Sequence, residues 1–163
     1  MEPTIKEELD FDKSKNKLLS FLDNRDNPIM VLGTSANNKV LTRAILIINN
    51  ELDIYFFTWK YSRKIKQIEI NKYISLCKDR IEIEGEAMIL GLMTSKENKN
   101  ILEMIREKHP DSVKKWESKS NMVIVNIKPK FACIDGYFED NDSYLEYIDL
   151  EKKESYRLKW ADY

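Results

Sequence analysis

The chain is short of the residues from which most hydrolytic and metal sites are built. Its 163 residues include one histidine, His109, and two cysteines, Cys77 and Cys133. That leaves no zinc-ligand spacing and no Ser-His-Asp or Cys-His constellation, which excludes hydrolysis by those routes and a metal centre of that kind. The cysteines lie far apart in apolar, strand-like runs and form no Cys-x-x-Cys, so they are expected to be reduced, buried core thiols. No apolar run approaches the roughly 20 residues that span a bilayer, and the acidic start Met1-Glu2-Pro3-Thr4 lacks the apolar stretch of a signal peptide. No membrane role and a cytoplasmic location are therefore expected. Charge of one sign is lacking too: 27 basic residues against 28 acidic ones give a net charge of −1. No bulk field draws the protein to nucleic acid or to an anionic membrane, so any anion must be gripped locally. The run Lys13-Ser14-Lys15-Asn16-Lys17 carries no interleaved aromatics and reads as the polar side of a helix. The pairs Glu82 with Glu84 and Asp140 with Asp142 read as solvated positions of a strand and a turn.

What remains is a chain with 42% apolar residues, enough for one domain with a sizeable core. Leu18, Phe21 and Leu22 give an amphipathic helix over 11–24, ended by the turn cluster before Pro28. The period then becomes that of strands. Ile29 to Thr34 and Val40 to Ile48 flank the hairpin signal Ala36-Asn37-Asn38-Lys39, and Ile54-Tyr55-Phe56-Phe57 follows as a third strand. A helix over 62–71 precedes strands at Tyr73 to Cys77 and from Arg80 onward, where Gly85 allows a bulge. Thr94-Ser95-Lys96-Glu97 has the form of a capping box for a helix ending near His109-Pro110. Met122 to Ile127 and Phe131 to Phe138 complete the sheet, with Tyr144 to Leu150 as an added hairpin arm. There are no repeats, linkers or low-complexity segments. Many antiparallel strands with long, bent members favour a closed Greek-key barrel, because closure removes exposed edges.

One segment carries chemistry. Thr58-Trp59-Lys60-Tyr61-Ser62-Arg63-Lys64 takes an aromatic strand into a short helix, with Ser62 placed as the N-cap. Arg63 and Lys64 then fall in the first turn, where cations oppose the helix dipole unless an anion sits between them and the free N–H groups. A second strand supplies Arg43. Arg43 with Lys64, and Arg63 as a third, are enough to take a dianionic phosphate out of water. Alternation along the third strand sets Phe57 and Trp59 on the face opposite Phe56, which reads as core.

The run Ser62-Arg63-Lys64-Ile65-Lys66-Gln67-Ile68-Glu69-Ile70-Asn71, continuing to Ser75-Leu76, resembles the flavin-binding segment of the pyridoxamine 5′-phosphate oxidase superfamily. Phe57-Thr58 is similar to its Tyr-Thr pair, Arg43-Ala44-Ile45-Leu46 to its Arg-x-Val-Leu element, and Gly85 falls where its long fifth strand carries a glycine. The resemblance covers about residues 15–138 and is nearest to the short general-stress-protein branch. It implies a mainly β (α+β) fold: a six-stranded antiparallel Greek-key split barrel with flanking helices. The whole of 1–163 would form one such domain, with the barrel at 28–138, helices at 62–71 and 94–109, and a C-terminal extension at 141–163. It also implies a homodimer with FMN at the subunit interface. The cofactor-binding residues so implied are Arg43, Ala44, Ile45, Leu46, Phe57, Thr58, Trp59, Ser62, Arg63, Lys64 and Arg80, the last standing where the family usually has glutamine. A small barrel has its interior filled by side chains, so the ring must lie outside it. Trp116 and Trp160 are candidates for a second wall, and both read equally well as core.

The departures are as informative. Ile48 stands where pyridoxamine phosphate oxidases carry a substrate-phosphate lysine, and their C-terminal Arg-x-His motif has no counterpart here, so oxidation of pyridoxamine phosphate is not expected. His109 reads as a solvated helix cap. No catalytic residue is assignable. Two functions stand: an FMN-dependent oxidoreductase passing electrons between a small-molecule donor and acceptor, and a non-catalytic flavin-binding stress buffer or sensor. A deazaflavin or haem in the same barrel is a further alternative.

Overall fold

The computed structural model describes residues 5–24, 26–139 and 143–159. In chain order the elements are β1 (Ile5–Leu9), α1 (Phe11–Leu22), β2 (Ile29–Ala36), β3 (Lys39–Leu46), β4 (Ile48–Asn50), β5 (Asp53–Trp59), α2 (Arg63–Ile70), β6 (Tyr73–Lys78), β7 (Ile81–Leu92), α3 (Lys99–Lys108), α4 (Pro110–Trp116), β8 (Met122–Tyr137), β9 (Ser143–Asp149) and β10 (Glu154–Lys159). A 3₁₀ turn, Lys96–Asn98, leads into α3.

All strand pairs are antiparallel. β2 lies between β3 and β6, β7 between β6 and β8, and β8 also pairs with β5. Only Ile47 separates β3 from β4, and β4 pairs with β5. β3 and β4 thus act as one bent strand holding β2 with one half and β5 with the other. The ring closes, and with β3 and β4 counted together it has the six strands expected. The β2–β3 hairpin turns on Asn37 and Asn38 with φ of 50° and 60°, the left-handed conformation that suits a two-residue turn and that asparagine tolerates.

Strand β8 is one 16-residue strand where the sequence suggested two. Its first half pairs with β5 and its second with β9, and its register against β7 shifts at Glu84/Gly85. Gly85 is required there: a Cβ would sit 2.6 Å from the Lys128 carbonyl oxygen. The expected hairpin arm is the first of three added strands, because β9 pairs with β10 and β10 with β1. Lys6, Glu7 and Glu8 on β1 keep that outer edge charged, which discourages pairing with other chains.

Two apolar clusters follow from alternation along β5 and β8. Ile54 and Phe56, with Val125 and Ile127, fill the barrel together with Leu18 and Leu22 of α1. Tyr55, Met122 and Ile124 face the other way and pack under Ile105 of α3 and Val113 of α4. Helix α4 was not expected. Pro110 read as a stop, but it occupies the first turn of a new helix, where proline's missing N–H costs nothing. His109, at that junction, holds the cap position expected, as C-cap of α3 and N-cap of α4, but is half-buried rather than solvated. The capping box is absent as well: Ser95 sits at the N-cap without a side-chain bond. Instead the buried Asn98 amide donates to the Leu90 and Leu92 carbonyls at 3.1 and 2.8 Å. The cysteine expectation also needs correction. Cys77 is exposed and Cys133 half-buried, because their positions on β6 and β8 place them on the outer face, opposite Leu76 and Ala132.

Glu146, 2% exposed on β9, joins the extension to α1. It accepts from Ser14 Oγ and Lys17 Nζ, both at 2.8 Å, with Arg157 Nη2 at 3.8 Å. Burial alone raises its pKa, but the bonds from Lys17 and Ser14 and the charges of Lys17 and Arg157 outweigh that and hold it below the ordinary glutamate value. A depressed carboxyl contributes stability above its unfolded pKa and loses it as pH falls through the folded one. Glu146→Gln is expected to cost about 1–3 kcal/mol at neutral pH, the range for a broken buried polar contact. Urea titrations from pH 7 to pH 3 should show a shallower acid loss in the variant than in the parent, and parallel curves would exclude this role.

Candidate functional site

The end of β5 and the start of α2 set the site. β5 delivers the buried Thr58 and the exposed Trp59, and Ser62 N–H donates to the Trp59 carbonyl at 3.0 Å, closing the turn into the helix. Ser62 holds the N-cap position with extended backbone, as the sequence suggested, but its hydroxyl makes no capping bond. Its Oγ is buried and has no hydrogen-bond partner. The first turn of α2 contains no acidic residue. A buried, unpaired hydroxyl therefore belongs to the N-cap residue of a helix whose first turn carries cations and no carboxylate.

Those cations are positioned by neutral groups. Lys64 Nζ donates to Thr58 Oγ1 at 3.0 Å. Arg43 Nη1 donates to Thr34 Oγ1 at 2.6 Å and, more weakly, to the Leu32 carbonyl, while Nη2 reaches Gln67 Oε1 at 3.4 Å. The buried Gln67 also accepts from Thr34 Oγ1 at 2.6 Å and donates to the Lys39 carbonyl at 3.0 Å. A chain of side-chain bonds thus runs from the hairpin through Arg43 to α2. No ion pair to a carboxylate involves Arg43, Arg63 or Lys64 among the described residues. Burial, and then the charge of Arg63, lowers the Arg43 pKa; burial, and then the charge of Arg43, lowers that of Lys64. Both charged forms are disfavoured as they stand, and an anion placed among them would reverse that sign.

A cavity of about 270 Å³ adjoins Lys64. Ala44, Ile45 and Leu46 of β3 form one side and Phe57, Thr58 and Trp59 of β5 another. Ser112 and Trp116 of α4, with Met122, close it. Of the residues singled out from sequence, the structure brings together Ala44, Ile45, Leu46, Phe57, Thr58, Trp59 and Lys64 around the cavity, with Arg43 close enough to act on the Lys64 charge and Ser62 capping the same helix, while Arg63 lines a separate groove between α2 and the β2–β3 turn. Arg80 does not line it. It is exposed in the turn before β7, with its guanidinium 4.2 Å over the Tyr137 ring, and β7 leads away from there to Leu92, beside the cavity's Met122. Trp116 belongs to the wall of the same chain's cavity; Trp160 lies outside the described residues. Ser112 and Met122 carried no signal in the sequence, because the helix bearing Ser112 was hidden behind Pro110. Lys64 is the one titratable side chain on the cavity wall. The arrangement can therefore hold a flat apolar group and an anion, but offers little for proton transfer.

No family model and no curated protein matches the sequence. Solved structures do match by shape. General stress protein 26 from Bacillus anthracis has 24% identity and a TM-score of 0.61 over 84% of this chain and 98% of its own. An inferred pyridoxamine 5′-phosphate oxidase from Listeria innocua has 18% identity and a TM-score of 0.59 over 74% of this chain and 97% of its own. A FAD-binding protein from Mesorhizobium loti has 13% identity and a TM-score of 0.57 over 79% of this chain and 96% of its own. With the strand ring described above, these likenesses give the chain the split-barrel fold of the pyridoxamine 5′-phosphate oxidase-like proteins.

Proposed function

We propose that the chain is a flavoprotein of the pyridoxamine 5′-phosphate oxidase-like type, binding FMN and acting as an oxidoreductase on a small molecule. The observation that carries this reading is the set of Arg43, Arg63 and Lys64, with no counter-carboxylate among the described residues, together with the unpartnered Ser62 hydroxyl and an aromatic-walled cavity. The chemistry of these donors fits a phosphate dianion: Arg43 and Lys64 neutralise it, while Ser62 Oγ and the free N–H groups of α2 hydrogen-bond it. Phe57, Trp59 and Trp116 would bury the ring and exclude water, and β3 backbone groups at Ala44–Leu46 would meet its polar edge. A bound flavin supplies the electron transfer between a reduced donor, such as a nicotinamide, and a small acceptor. The likenesses to a FAD-binding protein and to a stress protein support a flavin and a stress-related setting. A second reading, a flavin buffer or sensor without turnover, is favoured by the absence of an acid–base side chain on the cavity wall apart from Lys64.

Visible absorption of the purified protein, followed by anaerobic reduced nicotinamide, separates these readings. A yellow protein that bleaches within seconds to minutes supports the oxidoreductase, and one that stays yellow supports the buffer. A colourless protein that takes up no FMN overturns both.

Removing either Arg43 or Lys64 as Ala should weaken FMN by about 1.5–3 kcal/mol, the range for a hydrogen bond to a charged group, which is roughly ten- to a hundredfold in Kd. Riboflavin, which lacks the phosphate, should be unaffected. Fluorescence titration of the apo variants with both ligands is the measurement, and equal losses would contradict the assignment.

We also infer that the working unit is a homodimer. The cavity's 270 Å³ is small for a three-ring ligand, and its wall leaves Trp59 52% exposed, apolar surface suited to a second wall. Light scattering of the flavin-loaded protein should give twice the 19.4 kDa chain mass, and a monomer with stoichiometric flavin would exclude an interfacial site.

A further inference from the structure

We propose that the groove between α2 and the β2–β3 turn takes the adenylate half of a flavin dinucleotide, so that this protein holds FAD more tightly than FMN. The inference rests on the flavin reading above and refines its ligand. The groove, also about 270 Å³, is lined by Asn37, Lys39, Leu41, Arg63, Lys66 and Ile70. Three of its eight lining residues, Lys39, Arg63 and Lys66, are cations, and none of the three is in an ion pair with a carboxylate among the described residues. Arg63 belongs to both places: it lines the groove, and its charge is felt by Arg43 of the phosphate site. The two sets of cations are therefore contiguous.

A single phosphate satisfies only one of them. FMN at Arg43 and Lys64 leaves Lys39 and Lys66 of the groove without an anionic partner among the described residues. A pyrophosphate spreads two negative charges over adjacent phosphorus centres, matching Arg43 with Lys64 on one side and Lys39 with Lys66 on the other, bridged by Arg63. The rest of the groove suits a base. Ile70 is 63% exposed and, with Leu41, gives an apolar surface, and the Asn37 side chain offers an amide donor and acceptor. The geometry is also held in place. Gln67 donates to the Lys39 carbonyl and accepts from Thr34 and Arg43, so one set of hydrogen bonds fixes both walls of the groove relative to the phosphate site.

Calorimetric titration of the apo protein with FMN and with FAD, at one ionic strength, tests this. The parent should bind FAD about tenfold more tightly than FMN, as expected for one or two added contacts to charged groups. Lys39→Ala/Lys66→Ala should lose that advantage while keeping its FMN affinity within about twofold, with circular dichroism verifying the fold and Lys39→Arg/Lys66→Arg retaining FAD binding. FMN binding without any preference for FAD overturns the inference and leaves the flavin site standing. Equal weakening of both ligands in the double variant overturns it too, since the lysines would then be a general positive field. Failure of the parent to bind either flavin overturns the flavin reading and the groove's role together.

Discussion

The fold depends on β8 and on how its one edge is divided. Residues Met122–Ile127 hold β5 and close the barrel, while Phe131–Tyr137 hold β9 and with it the β9–β10–β1 extension. A strand that served only one neighbour on that side would leave either an open barrel or an unanchored extension, each exposing unpaired backbone groups. The division occurs where β7 contributes Gly85, whose missing Cβ lets the Lys128 carbonyl approach. One glycine contact thus lets a single strand bend between two jobs.

The site inherits its position from the same alternation. β5 is buried on both faces, so its side chains are committed: Ile54 and Phe56 to the barrel, Tyr55 to the cluster under α3 and α4. Only at the end of β5, where both cores run out, do Thr58 and Trp59 become available to a ligand. Phe57, half-buried, marks the boundary. Helix α2 begins four residues later, so its positive end and Lys64 are brought to the rim of the cavity by the shortness of the turn. This arrangement is unfavourable in isolation, as the lowered pKa values of Arg43 and Lys64 indicate, and barrel packing sustains it.

What the sequence made legible is what local periodicity and turn chemistry control. The barrel strands, the Asn37-Asn38 turn, α1 and α2 stand where alternation and helical spacing put them, and the cavity gathers seven of the residues that the flavin-segment resemblance singled out. What was not legible depends on partners far along the chain. β1 is largely charged and is a strand only because β10 lies beside it. Cys77 and Cys133 sit in apolar-looking runs, yet alternation puts them on the outer face, so composition alone misjudged their burial. Pro110 is a stop signal in most contexts and a helix start in this one, and the error hid α4 with the cavity wall it supplies.

That hidden helix also explains why the chemistry of the site is so sparse. α4 covers the cavity with Ser112 and Trp116, a small hydroxyl and a large indole, while its charged residues Asp111, Lys114 and Lys115 are all exposed. The packing of Val113 into the cluster with Tyr55 and Ile124 fixes that orientation, because a helix that buries one face must offer the adjoining positions to whatever lies at its margin. The cavity therefore receives shape and hydrophobicity from α4 and charge from α2, and these come from separate elements anchored to separate cores. Binding of a ring and binding of its anion are for that reason separable properties of this fold, and a change in one core need not disturb the other half of the site.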